Sequence, residues 1–138
     1  MPTLLDCAGL PIPESVEGKS LLPFVRGQSV NGWRQHVHGE HPYAPLSGGA
    51  AQSIHYVTDG HEKYVWFSGD GHEQLFDIDQ DPQEIHDLAA GGSHAKRVEH
   101  WRQVLIRELT GREEGYVADG KLVSGRPAHP SLKHLREQ

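Results

Sequence analysis

The chain has 138 residues, 36% hydrophobic and 23% charged, with 16 glycines and nine prolines, which is the composition of a single turn-rich globular domain rather than a disordered one. Thirteen basic residues face 19 acidic ones for a net charge of −6, and no Lys/Arg stripe forms that could neutralise a row of phosphates, so nucleic-acid binding is excluded. Cys7 is the only cysteine, which excludes an internal disulfide and a cysteine-rich zinc site; no apolar run nears ~20 residues, and no signal peptide is visible, so the chain made as given is expected to be cytoplasmic and off the membrane.

From the N-terminus, Met1 to Gly9 reads as a short helix, with Pro2 at a first helical position and Gly9 at its C-terminal end. Leu10 to Lys19 is a loop held extended by Pro11 and Pro13 and turned at Gly18. Ser20 to Gly27 predicts one or two helical turns, capped by Ser20 and stopped by Gly27. Trp33 to Glu40 predicts a strand, and Pro42 to Gly49 a Pro/Gly loop. Ser53 to Thr58 alternates as a strand, with Ile54, Tyr56 and Thr58 on one face and His55 and Val57 on the other. Asp59-Gly60 is a hairpin signal into a strand over Lys63 to Ser68. Gly69-Asp70-Gly71 turns into a third strand over Glu73 to Ile78, and Asp81-Pro82 ends the pairing.

Ser93 to Gly111 predicts a helix, with Ser93 as its cap. Val98, Trp101, Leu105 and Leu109 fall on one helical face, which Val104 and Ile106 widen. The expected fold class is α+β: an antiparallel sheet of about four strands packed against this helix, with a short N-terminal helix. Residues 1–123 are assigned to the domain; 124–138, with Gly125, Pro127 and Pro130, are expected to be an extended tail with a short turn over Ser131 to Arg136.

Several segments, in register, resemble one family. Pro2-Thr3-Leu4-Leu5-Asp6-Cys7-Ala8-Gly9 is similar to a P-T-L-L-D-x-A-G helix, and Gly18, Ser20, Leu21 and Leu22 to a D/E-G-x-S-L-L segment. His55-Tyr56 through Trp66-Phe67 resembles a tyrosine-rich hairpin. Glu73-Gln74-Leu75-Phe76-Asp77, Asp81-Pro82, Glu84 and Asp87-Leu88 resemble an E-x-L-Y/F-D-L…D-P-x-E…N-L signature. Together they resemble the C-terminal subdomain of the sulfatases, in the alkaline-phosphatase-like superfamily. The resemblance implies a parent that hydrolyses sulfate esters with a formylglycine nucleophile and calcium or a similar divalent ion. Neither is expected in this sequence. Cys7 stands in C-A-G-L-P rather than C-x-P-S-R, so it is expected to be a small buried residue, and the family's paired aspartates lie before the segment seen here. The resemblance also implies a large α/β domain packed on this one. A chain without it is expected to be inactive, and to self-associate to a dimer or higher oligomer by exchanging the N-terminal helix or pairing strand edges.

His36-Val37-His38-Gly39-Glu40-His41 is the sharpest local candidate for chemistry. Two imidazoles two residues apart share a strand face, and the spacing resembles the H-x-H-x-D-H motif of metallo-β-lactamase-fold hydrolases, but too few residues follow to build that fold. The plain reading is an edge strand and its exit loop, holding a metal through His36, His38 and His41 only adventitiously; the alternative function is a small standalone binding protein using this cluster. The sulfatase resemblance instead places His38, Glu40 and His41 near the rim of a substrate pocket. Asp77, Asp79, Asp81 and Glu84 lack EF-hand spacing and are expected to bond local N–H groups in a turn. Tyr56, Tyr64, Trp66 and Phe76 are expected to be core-facing cross-strand partners.

Overall fold

A computed structural model describes residues 1–16, 18–43 and 52–126, which fall into two units, Met1–Arg34 and the chain from Gln35 onward. In the first unit, α1 (Pro2–Cys7) and α2 (Leu22–Val25) end alike. Gly9 and Gly27, each at φ 67°, lead into amides that reach back: Leu10 N–H to the Leu5 carbonyl and Gln28 N–H to that of Pro23. Glycine suits these left-handed positions, as expected. Side chains of α1 then hold the start of α2. Thr3 Oγ1 accepts the Leu21 amide at 3.0 Å, and Ser20 Oγ donates to Asp6 Oδ2 at 2.5 Å while accepting the Leu22 amide at 3.1 Å. The two family segments are therefore one bonded unit. Cys7 corrects the expectation of burial. It is exposed, because no residue of α1 is buried.

The second unit carries the sheet, β1 (Val37–Tyr43), β2 (Gln52–Thr58), β3 (Glu62–Phe67) and β4 (Glu73–Asp77), antiparallel in that order, and the helix α3 (Ala95–Leu109). The fold is α+β, as the periodicities imply. Strand β1 starts four residues later than expected. Val37 pairs with Thr58, the last residue of β2, so residues before it have no strand to bond. Trp33 instead meets Phe24 edge-on at 4.6 Å. Pro42 and Tyr43, expected in a loop, extend β1; the rest of that loop lies outside the described residues.

Antiparallel register puts directly opposed residues on one face. His38 and Glu40 thus share a face with Ser53, His55 and Val57, with Tyr64 and Trp66, and with Glu73 and Leu75. This is the face that α3 covers. Val57, Tyr64, Trp66 and Leu75 form one core with Val98, Trp101, Val104, Leu105 and Leu109. Burying each such side chain is worth roughly 1.5–3 kcal/mol. Polar ties run along its border: Glu62 Oε2 accepts the Trp101 indole N–H at 2.6 Å, and Arg102 grips Glu73 through two nitrogens at 2.6 and 2.7 Å. Phe76, opposite Lys63, is buried on the face away from α3 rather than facing this core, and Tyr56 departs from expectation as well. It lies on the opposite face, where its ring covers Gly39; a Cβ at Gly39 would come within 2.3 Å of that ring.

Both turns form as expected. Asp59 Oδ1 accepts the amides of His61 and Glu62, and Gly60 takes φ 94°. In the acidic turn, Asp77 and Asp81 accept the Gln80 and His86 amides, whereas Asp79 meets His61 and Glu84 meets Lys63. The cap of α3 is a correction: His94, not Ser93, stands at its N-cap, and no side chain bonds the first turn. A ribbon was not anticipated. After α3, β5 (Val117–Ala118) and β6 (Lys121–Leu122) pair around Asp119 and Gly120, both at positive φ, and Tyr116 just before them is a core residue, 1% exposed. The expected turn over 131–136 lies outside the described residues. No helix among the described residues is long and apolar enough to cross a membrane.

Candidate functional site

The covered face ends, on its β1 side, in a polar cluster. His38 and Glu40 project from β1, and the pairing Glu40↔His55 sets the β2 histidine beside them. His38 Nε2 lies 3.3 Å from His55 Nδ1, and His55 Nδ1 lies 3.7 Å from Glu40 Oε2. Among the described residues, this is the one group of His, Cys, Asp and Glu side chains whose ligand atoms all fall within 4.8 Å. His55 is the floor of the cluster, 1% exposed, with Trp66 and Tyr116 against its ring. Its Nε2 is buried with no hydrogen-bond partner.

Charge surrounds the pair. Arg112, just beyond α3, donates to Glu40 Oε2 at 2.7 Å and to Glu114 Oε1 at 2.6 Å. Burial lowers the His55 pKa to about 4, helped by the adjacent His38. Burial also lowers that of His38, against the pull of Glu40. Both rings are neutral near pH 7, so the proton shared between them sits on one nitrogen and the other accepts. The hydrogen bonds from Arg112 hold Glu114 below the usual carboxylate range.

The structure divides the histidine candidates. His36 precedes β1 and bonds Glu108 of α3 at 2.9 Å. His41 is exposed and, one residue on from Glu40, lies on the other face of the strand. Neither joins His38. His55 was missed because strand alternation shows its face but not its neighbour; only the β1–β2 register sets it opposite Glu40. A groove of about 860 Å³ opens elsewhere, between the β4 region and α3, and its Glu73 and Arg102 are bonded to each other.

Residues 1–110 match the family described as N-sulphoglucosamine sulphohydrolase, C-terminal. This chain belongs to that sulfatase family. The sulfatase domain is 42% identical over 136 residues, 99% of the chain, to an arylsulfatase of Clostridium perfringens, of which it spans 27%. It is 39% identical over 95 residues to arylsulfatase K of Rattus norvegicus, covering 64% of the chain and 16% of that protein. A solved putative sulfatase from Bacteroides thetaiotaomicron superposes with TM-score 0.72 at 26% identity, over 94% of this chain and 29% of the other. The matched part thus spans between 16% and 29% of the length of these relatives. Two groups that the family implies do not fit the residues present. Cys7 is exposed at the end of α1 without the proline and arginine of the formylglycine motif. Calcium takes six to eight oxygen ligands, but the carboxylates of the acidic turn bond amides, His61, Lys63 and Arg97, and the one convergent cluster among the described residues is mostly nitrogen.

Proposed function

We propose that this domain completes a sulfuric ester hydrolase whose bond-breaking residues lie outside this sequence. The match of the family over residues 1–110 carries the reading. The domain's share is positional. Its sheet and α3 form a firm support, and His38 and Glu40, with Arg112 behind them, form a polar rim suited to hydroxyl or anionic groups of a substrate's leaving group. His41, the third rim candidate, is exposed on the other face of β1. The isolated chain is inactive, since its sequence holds no formylglycine motif and the described residues bring together no oxygen-ligand set for a hard cation.

The test is a chimera in which residues 1–123 replace the matching C-terminal portion of the Clostridium perfringens arylsulfatase, assayed on an aryl sulfate. Hydrolysis by the chimera and none by the isolated chain is the expected result. Turnover by the isolated chain, or a folded, formylglycine-bearing chimera without activity, overturns the reading.

A further inference from the structure

His38, Glu40 and His55 form a donor set that the rim reading leaves unexplained. We propose that these three side chains bind a divalent transition-metal ion of the zinc class, with a fourth position open to solvent. The separations fit. Tetrahedral zinc bonded at ~2.0–2.1 Å holds its ligand atoms about 3.3–3.4 Å apart. His38 Nε2 and His55 Nδ1 are 3.3 Å apart, and Glu40 Oε2 is 3.7 Å from His55 Nδ1.

The framework is firm where a chance pair of surface histidines is not. Glu40 and His55 are opposed across paired strands, and His55 is buried against Trp66 and Tyr116. The two imidazole planes are nearly parallel, 11° apart, with centroids 5.5 Å apart and His38 Nε2 within 3.3 Å of His55 Nδ1. Ion entry replaces the direct contact between the rings, with His38, the half-buried ring, turning to admit the ion while His55 stays in place. The N–H between the rings moves to the far nitrogen of its own ring, so no net proton is lost. His55 Nε2, buried without a partner, is the nitrogen left uncommitted on the fixed ring. Arg112 donates to the same Glu40 Oε2 and its charge is answered by Glu114, so the carboxylate is held in place beside His55.

The donors choose the ion. Two imidazole nitrogens and one carboxylate suit zinc, nickel or copper and not calcium or magnesium. The site shares His38 and Glu40 with the rim of the sulfatase reading, but zinc binding by the chain alone does not depend on that reading, whose test is hydrolysis by the chimera.

The decisive experiment is calorimetric titration of zinc chloride into the full 138-residue chain, previously stripped with a chelator. One ion per chain at low micromolar affinity is expected, with no heat from calcium chloride. His38→Gln and Glu40→Gln each weaken zinc at least tenfold, whereas His36→Gln and His41→Gln leave it unchanged. The first two residues lie on the solvent side of the cluster, so the core survives their replacement, and near-ultraviolet circular dichroism of Trp66 and Trp101 checks it. No zinc binding, or binding that survives both His38→Gln and Glu40→Gln, or binding lost with His36→Gln or His41→Gln, overturns the site.

Discussion

Glu73 keeps its charge half-buried on β4. Burial pushes its carboxyl pKa up, but the Arg102 guanidinium and the Tyr64 hydroxyl outweigh that and hold it below the ordinary 4.5. His55 is shifted the same way by a different cause, since burial opposes its protonation. In both cases the folded state binds protons less readily than the unfolded chain, so both favour folding at neutral pH and lose that advantage in acid. For His55 the loss starts near pH 6.5, the ordinary value, and is complete near pH 4; for Glu73 it begins below 4.5. In metal-free buffer, urea unfolding should show about 1–2 kcal/mol less stability at pH 5 than at pH 7, the size a single shifted histidine supplies. His55→Gln should flatten that difference while lowering stability at both pH values. A wild-type midpoint independent of pH over this range would contradict the assignment. At this scale the sequence was informative about the aromatic core, because Tyr64 and Trp66 alternate with Lys63 and Val65. It was silent on Glu62, Glu73 and Arg102, whose partners are distant in the chain.

At the scale of elements, the E-x-L-F-D…D-L signature has a mechanical meaning. Asp87 Oδ1 accepts the amides of Leu75 and Ala89 at 3.0 and 2.8 Å, and the Leu88 amide donates to the Leu75 carbonyl at 2.8 Å. The outer edge of β4 is thereby closed at Leu75, which blunts it against strand pairing. Asp87→Ala leaves the part-buried Leu75 amide without its acceptor and should cost about 1–3 kcal/mol in a denaturant melt. An unchanged midpoint would show that the edge is held by other means. The same scale explains why one hairpin was read and another passed over. Asp59-Gly60 joins strands of seven and six residues, long enough for alternation to show. Asp119-Gly120 joins strands of two residues each, too short for any period, and only the burial of Tyr116 gives that ribbon its place.

At the scale of the molecule, large apolar side chains stand exposed along the first unit, among them Leu4, Leu10, Leu21, Phe24 and Val25. The chain also spans only about a quarter of the arylsulfatase that it matches. Such surface in isolation favours association, as does the outer edge of β1, which bonds no strand among the described residues. Light scattering after gel filtration should report a dimer or larger species, and Leu4→Lys with Phe24→Lys should shift it toward the monomer. A wild-type monomer at high concentration would refute the self-association reading.

The sequence by itself determined the α+β class, both long-strand turns, the apolar face of α3 and the sulfatase family, because these rest on local periods, turn chemistry and short motifs. Contacts between residues far apart in the chain carry no such local trace. Only the tertiary structure decided that His38 and Glu40 meet His55 rather than His36 or His41. Antiparallel register chooses which side chains become neighbours, and a strand's period of two shows which face a residue takes but not what stands opposite it.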